Sequence, residues 1–239
     1  MKKTVLVTGS SSGIGKAIAV RLFNEGWNVV LNGFGTSEPG HELAASLEGS
    51  IYIDANVSVS AEAVRLVEGA VSHFGRLDAV VNNAGIARQI PHADLDAVDD
   101  DFWDLIMAVN LKGPWNVAKA ARTHLAQTGG QIINNASLAA LTPSGSSIPY
   151  AISKAGVLHM TRLLAKALGP EIRVNAVAPG YIDTPLTHEW TELRDFVESK
   201  SPARRLGQPE DVAEVVHGLL SMGYVTGTAI PVAGGLQLL

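Results

Sequence analysis

Short β-branched runs alternate with helical patterns from one end of this chain to the other, and that alternation leaves few folds open. Strands are predicted at residues 3–8, 28–32, 50–53, 78–82, 131–135, 173–176 and 228–232. Helices are predicted between them at 14–24, 38–47, 61–74, 100–126, 150–168 and 210–220. The strand runs, TVLVT and NVVLN among them, are apolar nearly throughout instead of at every second residue. Strands apolar on both faces need cover on both, as in a parallel sheet between two layers of helices. Right-handed crossovers then lead to a doubly wound, Rossmann-type sheet of about seven mainly parallel strands.

No linker, repeat or low-complexity stretch divides the 239 residues, which suit one domain spanning 1–239. The rhythm breaks once, at about 185–205, where THEWTELRDFVESKSPARR follows a strand end with no strand directly after it. An insertion beside the carboxyl ends of the strands reads as a substrate lid. Net charge is −5 and no Lys/Arg stripe is present, which argues against nucleic acid and anionic membrane as partners. The absence of cysteine excludes disulfides, thiol nucleophiles and thiolate metal sites. The seven histidines have no partners at helical spacing, so no metal site is expected. MKKTVLVTG has too short an apolar run for a signal peptide and reads as the first strand. A cytoplasmic protein is the expectation.

Two segments carry chemistry. Gly9, Gly13 and Gly15 lie between the first strand and first helix, in VLVTGSSSGIGKAIA. Such a turn lets the backbone approach a pyrophosphate closely and aims a helix N-terminus at it, although the spacing is not the usual G-x-G-x-x-G. Farther on, Tyr150 and Lys154 stand four residues apart at the start of a helix, on one face, with Cβ atoms roughly 5–6 Å apart. An ammonium so placed favours the phenolate and would bring the tyrosine pKa down from about 10 toward working pH. A tyrosine tuned in this way is a usable general acid/base. Ser137 ends a strand thirteen residues upstream of Tyr150. A lone Tyr-x-x-x-Lys proves little, and the ordered set is what signifies.

TGSSSGIG, NNAG at residues 82–85, Asn110, Ser137, Tyr150-x-x-x-Lys154 and PGYIDTP at 179–185 together resemble the motifs of the short-chain dehydrogenase/reductase family, over essentially the whole chain. The resemblance implies an NAD(P)-dependent oxidoreductase interconverting a secondary alcohol and a ketone by hydride transfer. Tyr150 would be the general acid/base, Lys154 would tune it and hold the nicotinamide ribose, and Ser137 would donate a hydrogen bond to the substrate oxygen. Asn110 would hold a water linking Lys154 to solvent. Gly9, Ser11, Ser12, Gly13, Ile14 and Gly15 would cradle the phosphates, with Asn56 and Val57 near the adenine. Asn82, Asn83, Ala84 and Gly85 would line the groove after the fourth strand. Pro179, Gly180, Ile182 and Thr184 would reach the nicotinamide end. Leu138 and Ile148 would shape the substrate pocket, with Ala139, Thr142 and Ser144 on the same wall and His188 and Trp190 in the lid. The resemblance also implies a homotetramer, with the helices at 100–126 and 150–168 pairing across subunits. Ala118, Ala120, Ala121, Ala165 and Ala167 would permit close approach there.

Neither an acid nor a base ends the second strand, where the cofactor's ribose is read and where Asn32, Gly33 and Phe34 would contact it. Without a cation for a 2′-phosphate, NAD is favoured over NADP, and the NGFG segment resembles NAD-using 3-hydroxybutyrate dehydrogenases. Three alternatives stand beside a small-alcohol dehydrogenase. A 3-oxoacyl-carrier-protein reductase would need NADPH and a basic surface. A non-catalytic dinucleotide sensor should have lost Tyr150, Lys154 or Ser137. An epimerase or dehydratase of the related extended family would need a larger C-terminal region. Arg88 is the one cation close enough in sequence to the site to serve an acidic substrate.

Overall fold

Seven strands pair in parallel in a single sheet: β1 (Thr4–Val7), β2 (Asn28–Gly33), β3 (Ile51–Asp54), β4 (Ala79–Asn82), β5 (Gln131–Asn135), β6 (Arg173–Pro179) and β7 (Ala229–Val232). Their order is β3-β2-β1-β4-β5-β6-β7, so the winding reverses between β1 and β4. This is a computed structural model that describes residues 2–239. The sheet is wholly parallel, where mainly parallel was expected, and all seven expected strands are present.

The described residues form eight helices: α1 (Gly13–Asn24), α2 (Ser37–Ser46), α3 (Ser60–Phe74), α4 (Asp100–Met107), α5 (Gly113–Thr128), α6 (Ile148–Leu168), α7 (Thr191–Lys200) and α8 (Pro209–Ser221), of which all but α4 and α7 cover the sheet. Alternate strand residues serve opposite layers. Val5 and Val7 of β1 pack with Ile18 and Leu22 of α1 and Val216 of α8, whereas Leu6 packs with Leu66 of α3 and Val117 of α5. Burying an aliphatic side chain is worth about 1.5–3 kcal/mol, so strands buried on both sides dominate the stability. Among the described residues no helix is long and apolar enough to cross a membrane.

Helix ends follow local chemistry. Asp99 opens α4 by accepting from the Phe102 N–H at 2.6 Å, and Ser147, fully buried, accepts from the Tyr150 N–H at the start of α6. Two expectations change here. The single helix expected over 100–126 is two helices joined by a π-helical turn, Ala108–Lys112. Pro114 brings no N–H to the carbonyl of Asn110 four residues earlier, and the turn widens so that the Gly113 N–H reaches the Ala108 carbonyl instead. The insertion at 185–205 also contains a helix of its own, α7, which is mostly polar and has Val197 as its buried residue.

Candidate active site

The carboxyl ends of β1, β4, β5 and β6 converge beside the point where the winding reverses, the ordinary place for a ligand in this architecture. The glycine turn opens the site from β1. Gly9 has φ +61°, and a Cβ there would stand 2.7 Å from the Ala84 Cα, so only glycine fits. A Cβ on Gly15 would collide with the Gly9 carbonyl and the Asn83 amide. That amide clamps the turn, its Nδ2 donating to the carbonyls of Thr8 (3.0 Å) and Gly9 (2.9 Å). The Thr8 hydroxyl accepts from the N–H groups of Asn83 and Ala84, both at 3.0 Å. Helix α1 starts at Gly13 with no side-chain cap from Ser12 and no acid in its first turn. Its first N–H groups and positive dipole end are therefore available to an anion. A pyrophosphate fits this cradle.

Lys154 is buried, and its Nζ donates to the Asn135 main-chain carbonyl at 2.8 Å. The side chain of Asn135 in turn donates to Asn83 Oδ1 at 2.9 Å, joining the seat of the ammonium to the glycine turn. Lys154 Nζ lies 5.7 Å from the centre of the Tyr150 ring. A Cβ on Gly85 would be 3.3 Å from Asn110 Oδ1 and 3.5 Å from Lys154 Nζ, so Gly85 keeps the space between them open.

Burial disfavours charge on both members of the pair. It raises the Tyr150 phenol above its ordinary value, with the hydrogen-bonding Ser137 hydroxyl pulling it partly back. It also lowers the Lys154 ammonium from 10.5 to about 8. In the protein alone, then, Tyr150 is not brought down toward neutrality. The expectation of a tyrosine tuned by its lysine gives way to a pair that desolvation moves in opposite directions.

Several expected contacts are placed otherwise. Asn32 is 1% exposed and donates through Nδ2 to the carbonyls of Gly33, Ile53 and Ala55, so it stitches β2 to β3 and cannot contact a ligand. Asn82 is also buried, bonded to Asn134 and Pro114. Val57 packs beneath Gly113, and Asn56 uses Oδ1 to cap Ser58 while leaving Nδ2 uncommitted. Phe34 is exposed just past the end of β2, so its ring stays accessible to a ligand. The Asn110 amide is tied to its surroundings, accepting from the Ile86 N–H (2.9 Å) and donating to the Ile86 carbonyl (3.0 Å) and Ser153 Oγ (3.3 Å). A water at Asn110 could be held by the remaining lone pair of Oδ1 or by its main-chain carbonyl.

Ser11, Ser12, Gly13 and Ile14 line the turn, and Gly33 borders it through Ser11. Pro179 ends β6 and Gly180, Ile182 and Thr184 follow it, with the Ile182 side chain buried in the core. Leu138 follows Ser137 in a short 3-10 turn, and Ile148 opens α6 two residues before Tyr150. His188 is 73% exposed and 3.9 Å from Asp183. Trp190 packs with Tyr181, Val197 and Leu206, so it anchors the insertion instead of facing a substrate. Arg88 stacks 3.9 Å over the Phe102 ring and reaches Asp99 at 3.5 Å. Sequence reasoning missed Ser147, Ser153 and Asn135. Only Ser147 left a signal, a serine two residues before a proline at a helix start.

A doubly wound parallel sheet with this cradle and a Ser–Tyr–Lys group at its switch point defines a dinucleotide-dependent oxidoreductase. Residues 9–237 match the protein family described as "Enoyl-(Acyl carrier protein) reductase". The chain is 50% identical, over 98% of its length and 96% of the relative's, to the "Granaticin polyketide synthase putative ketoacyl reductase 2" of Streptomyces violaceoruber. It is 39% identical to the 3-oxoacyl-[acyl-carrier-protein] reductase FabG of Thermotoga maritima, over 99% of this chain and 98% of that one. Levodione reductase superposes with a TM-score of 0.92 at 30% identity, covering 99% of this chain and 98% of that one. The protein belongs to the short-chain dehydrogenase/reductase family.

Proposed function

We propose that the protein interconverts a secondary alcohol and a ketone, with Tyr150 moving the proton and NAD as the favoured cofactor. The observation that carries this is the convergence of Ser137, Tyr150, Lys154 and Asn110 beside a cradle that fits a pyrophosphate. When bound, the nicotinamide supplies or accepts the hydride. The turn from Gly9 to Gly15 would hold the phosphates, Asn83 to Gly85 would border the groove, and the backbone from Pro179 to Thr184 would hold the nicotinamide end. Tyr150 gives its proton to the carbonyl oxygen on reduction and takes it back on oxidation. Ser137 donates to the same oxygen and stabilises the charge developing there. Lys154, held at the Asn135 carbonyl, would reach the ribose and support the phenolate once the site is closed to water. The Asn110 main-chain carbonyl, which meets no N–H at Pro114 four residues on, would suit a water that passes the proton outward. The segment 185–205 would close over the substrate, moving as one piece about the Trp190 anchor.

A second reading, a ketone carried as an acyl thioester and reduced with NADPH, is supported by the names of the ketoacyl reductase relatives. Turnover of a 3-oxoacyl thioester against small free ketones separates the two. The principal test is Tyr150→Phe, which removes only the hydroxyl. Turnover is expected to fall by about 10²–10⁴-fold, the usual worth of general acid–base catalysis, with cofactor affinity nearly intact. Survival of turnover would refute the assignment.

A homotetramer in the cytoplasm completes the proposal. Ala118, Ala121 and Ala165 are buried in the subunit's own core and do not face a neighbour. The apolar groups presented outward by α4, α5 and α6 are Trp103, Leu105, Trp115, Ile152 and Leu163, and they support the same pairing. A solution mass near one 25.1 kDa chain would refute it, and cell fractionation checks the compartment.

A further inference from the structure

The end of β2, where this fold ordinarily carries an acid that reads the cofactor's ribose, holds Gly33 and no side chain at all. The space is filled from elsewhere. A Cβ built on Gly33 would collide with Thr36 Oγ1 and stand 2.9 Å from Tyr52 Oη and 3.3 Å from Ser11 Oγ. Three hydroxyls from three different segments thus meet where the acid's side chain would begin.

They are linked to one another and to a carboxylate. Asp54 is paired with Gly33 across the sheet. Its Oδ2 accepts from Ser37 Oγ at 2.8 Å and from Tyr52 Oη at 3.4 Å. Thr36 Oγ1 lies 3.4 Å from Tyr52 Oη, and Ser11 Oγ lies 3.0 Å from Thr36 Oγ1. We infer that this relay, ending on Asp54, replaces the missing acid and makes the chain select a ribose 2′-hydroxyl over a 2′-phosphate. The inference rests on the reading of the glycine turn as a dinucleotide site.

The direction of the hydrogens is the reason. A carboxylate only accepts, so Tyr52 spends its hydrogen on Asp54 and offers lone pairs to Thr36. Thr36 then donates to Tyr52 and accepts from Ser11, whose hydrogen is likewise turned inward. The groove is left with oxygen lone pairs, which receive a hydroxyl and oppose a phosphate dianion. Burial raises the Tyr52 phenol and the nearby Asp54 adds to the rise, while Thr36 partly offsets it, so the phenol keeps its proton. No Lys or Arg stands between Gly33 and Gly40. Arg65 reaches this edge, but donates to the Asp54 main-chain carbonyl at 2.5 Å and lies 3.9 Å from Glu62.

The test is binding, not turnover: parallel titrations of NADH and NADPH followed by nicotinamide fluorescence. The unaltered protein is expected to bind NADH more tightly. Asp54→Asn, at a partly exposed position, supplies an amide that can donate and so reverse the relay. Tyr52→Phe breaks it while keeping the ring packed edge-on to His41. Each is expected to reduce the NADH-over-NADPH preference by about tenfold, the worth of one strong hydrogen bond. Circular dichroism confirms that each variant is folded. Tighter NADPH binding by the unaltered protein, or an unchanged ratio in both variants, overturns the inference. Binding of neither cofactor overturns instead the dinucleotide reading beneath it.

Discussion

Replacing Lys154 by methionine should make the protein without cofactor more stable at neutral pH, and the gain should vanish in alkali. The ammonium falls from 10.5 in the unfolded chain to about 8 in the buried site. Between those values the unfolded chain holds more protons than the folded one, so stability rises with pH across that window. Below it the folded state bears the whole penalty, about 3 kcal/mol for a shift of roughly two and a half units. Against this, the variant loses the bond from Nζ to the Asn135 carbonyl, worth about 1 kcal/mol at every pH. Lys154→Met should therefore gain about 2 kcal/mol near pH 7 and nothing by about pH 10. Methionine matches the lysine stem and adapts to the buried space the lysine occupies. Urea unfolding of both proteins at several pH values, at fixed protein concentration and ionic strength, reads the difference directly. A stability difference that stays constant with pH would refute the reasoning, because Lys154 would then titrate as an ordinary surface lysine.

Three further outcomes are expected. Gly15→Ala, normally favourable inside a helix by about 1 kcal/mol, should destabilise here and weaken dinucleotide binding, because the new methyl meets the Gly9 carbonyl and the Asn83 clamp. Thermal melts and cofactor titration check it. Thr161→Val should lower stability by about 1–3 kcal/mol, because the fully buried Asn134 Nδ2 donates to Thr161 Oγ1 at 2.9 Å and would lose its partner. Chemical denaturation measures that loss. Pro114→Ala restores the N–H that the Asn110 carbonyl lacks and should let a regular helix run through the π turn. Turnover should fall while stability holds or rises, read by steady-state kinetics and melting together.

The sheet was legible because its strands are apolar on both faces, and runs such as VLV and VVL admit no other placement. The glycine turn was legible for a similar reason, since close backbone approach has no chemistry but glycine. What stayed hidden depends on direction and register. Asn32 looks like a groove residue at the end of β2, yet its amide turns sideways into three main-chain carbonyls, which no single-strand pattern encodes. The buried ladder from Asn82 to Asn134 to Thr161 exists because Asn82 and Asn134 stand opposite one another in β4 and β5. The break at Asn110 is written four residues later, in Pro114, and the apolar stripe runs on regardless. Helix α7 carries its stripe, Leu193, Phe196 and Val197, within ten residues that are otherwise polar, and only Val197 is buried, so the signal is too short to stand out.

The pair Asn83 and Asn135 has a polarity that cannot be reversed. Thr8 and Gly9 offer only carbonyls to Asn83, so its nitrogen must face them and its oxygen must face away. Asn135 is then obliged to present its own nitrogen to that oxygen. An aspartate at either position would be isosteric yet unable to donate, and a glutamine would overreach. Drift at one of these sites strands the other. The two asparagines thus behave as a single two-letter word in the sequence, to be kept or rewritten only together.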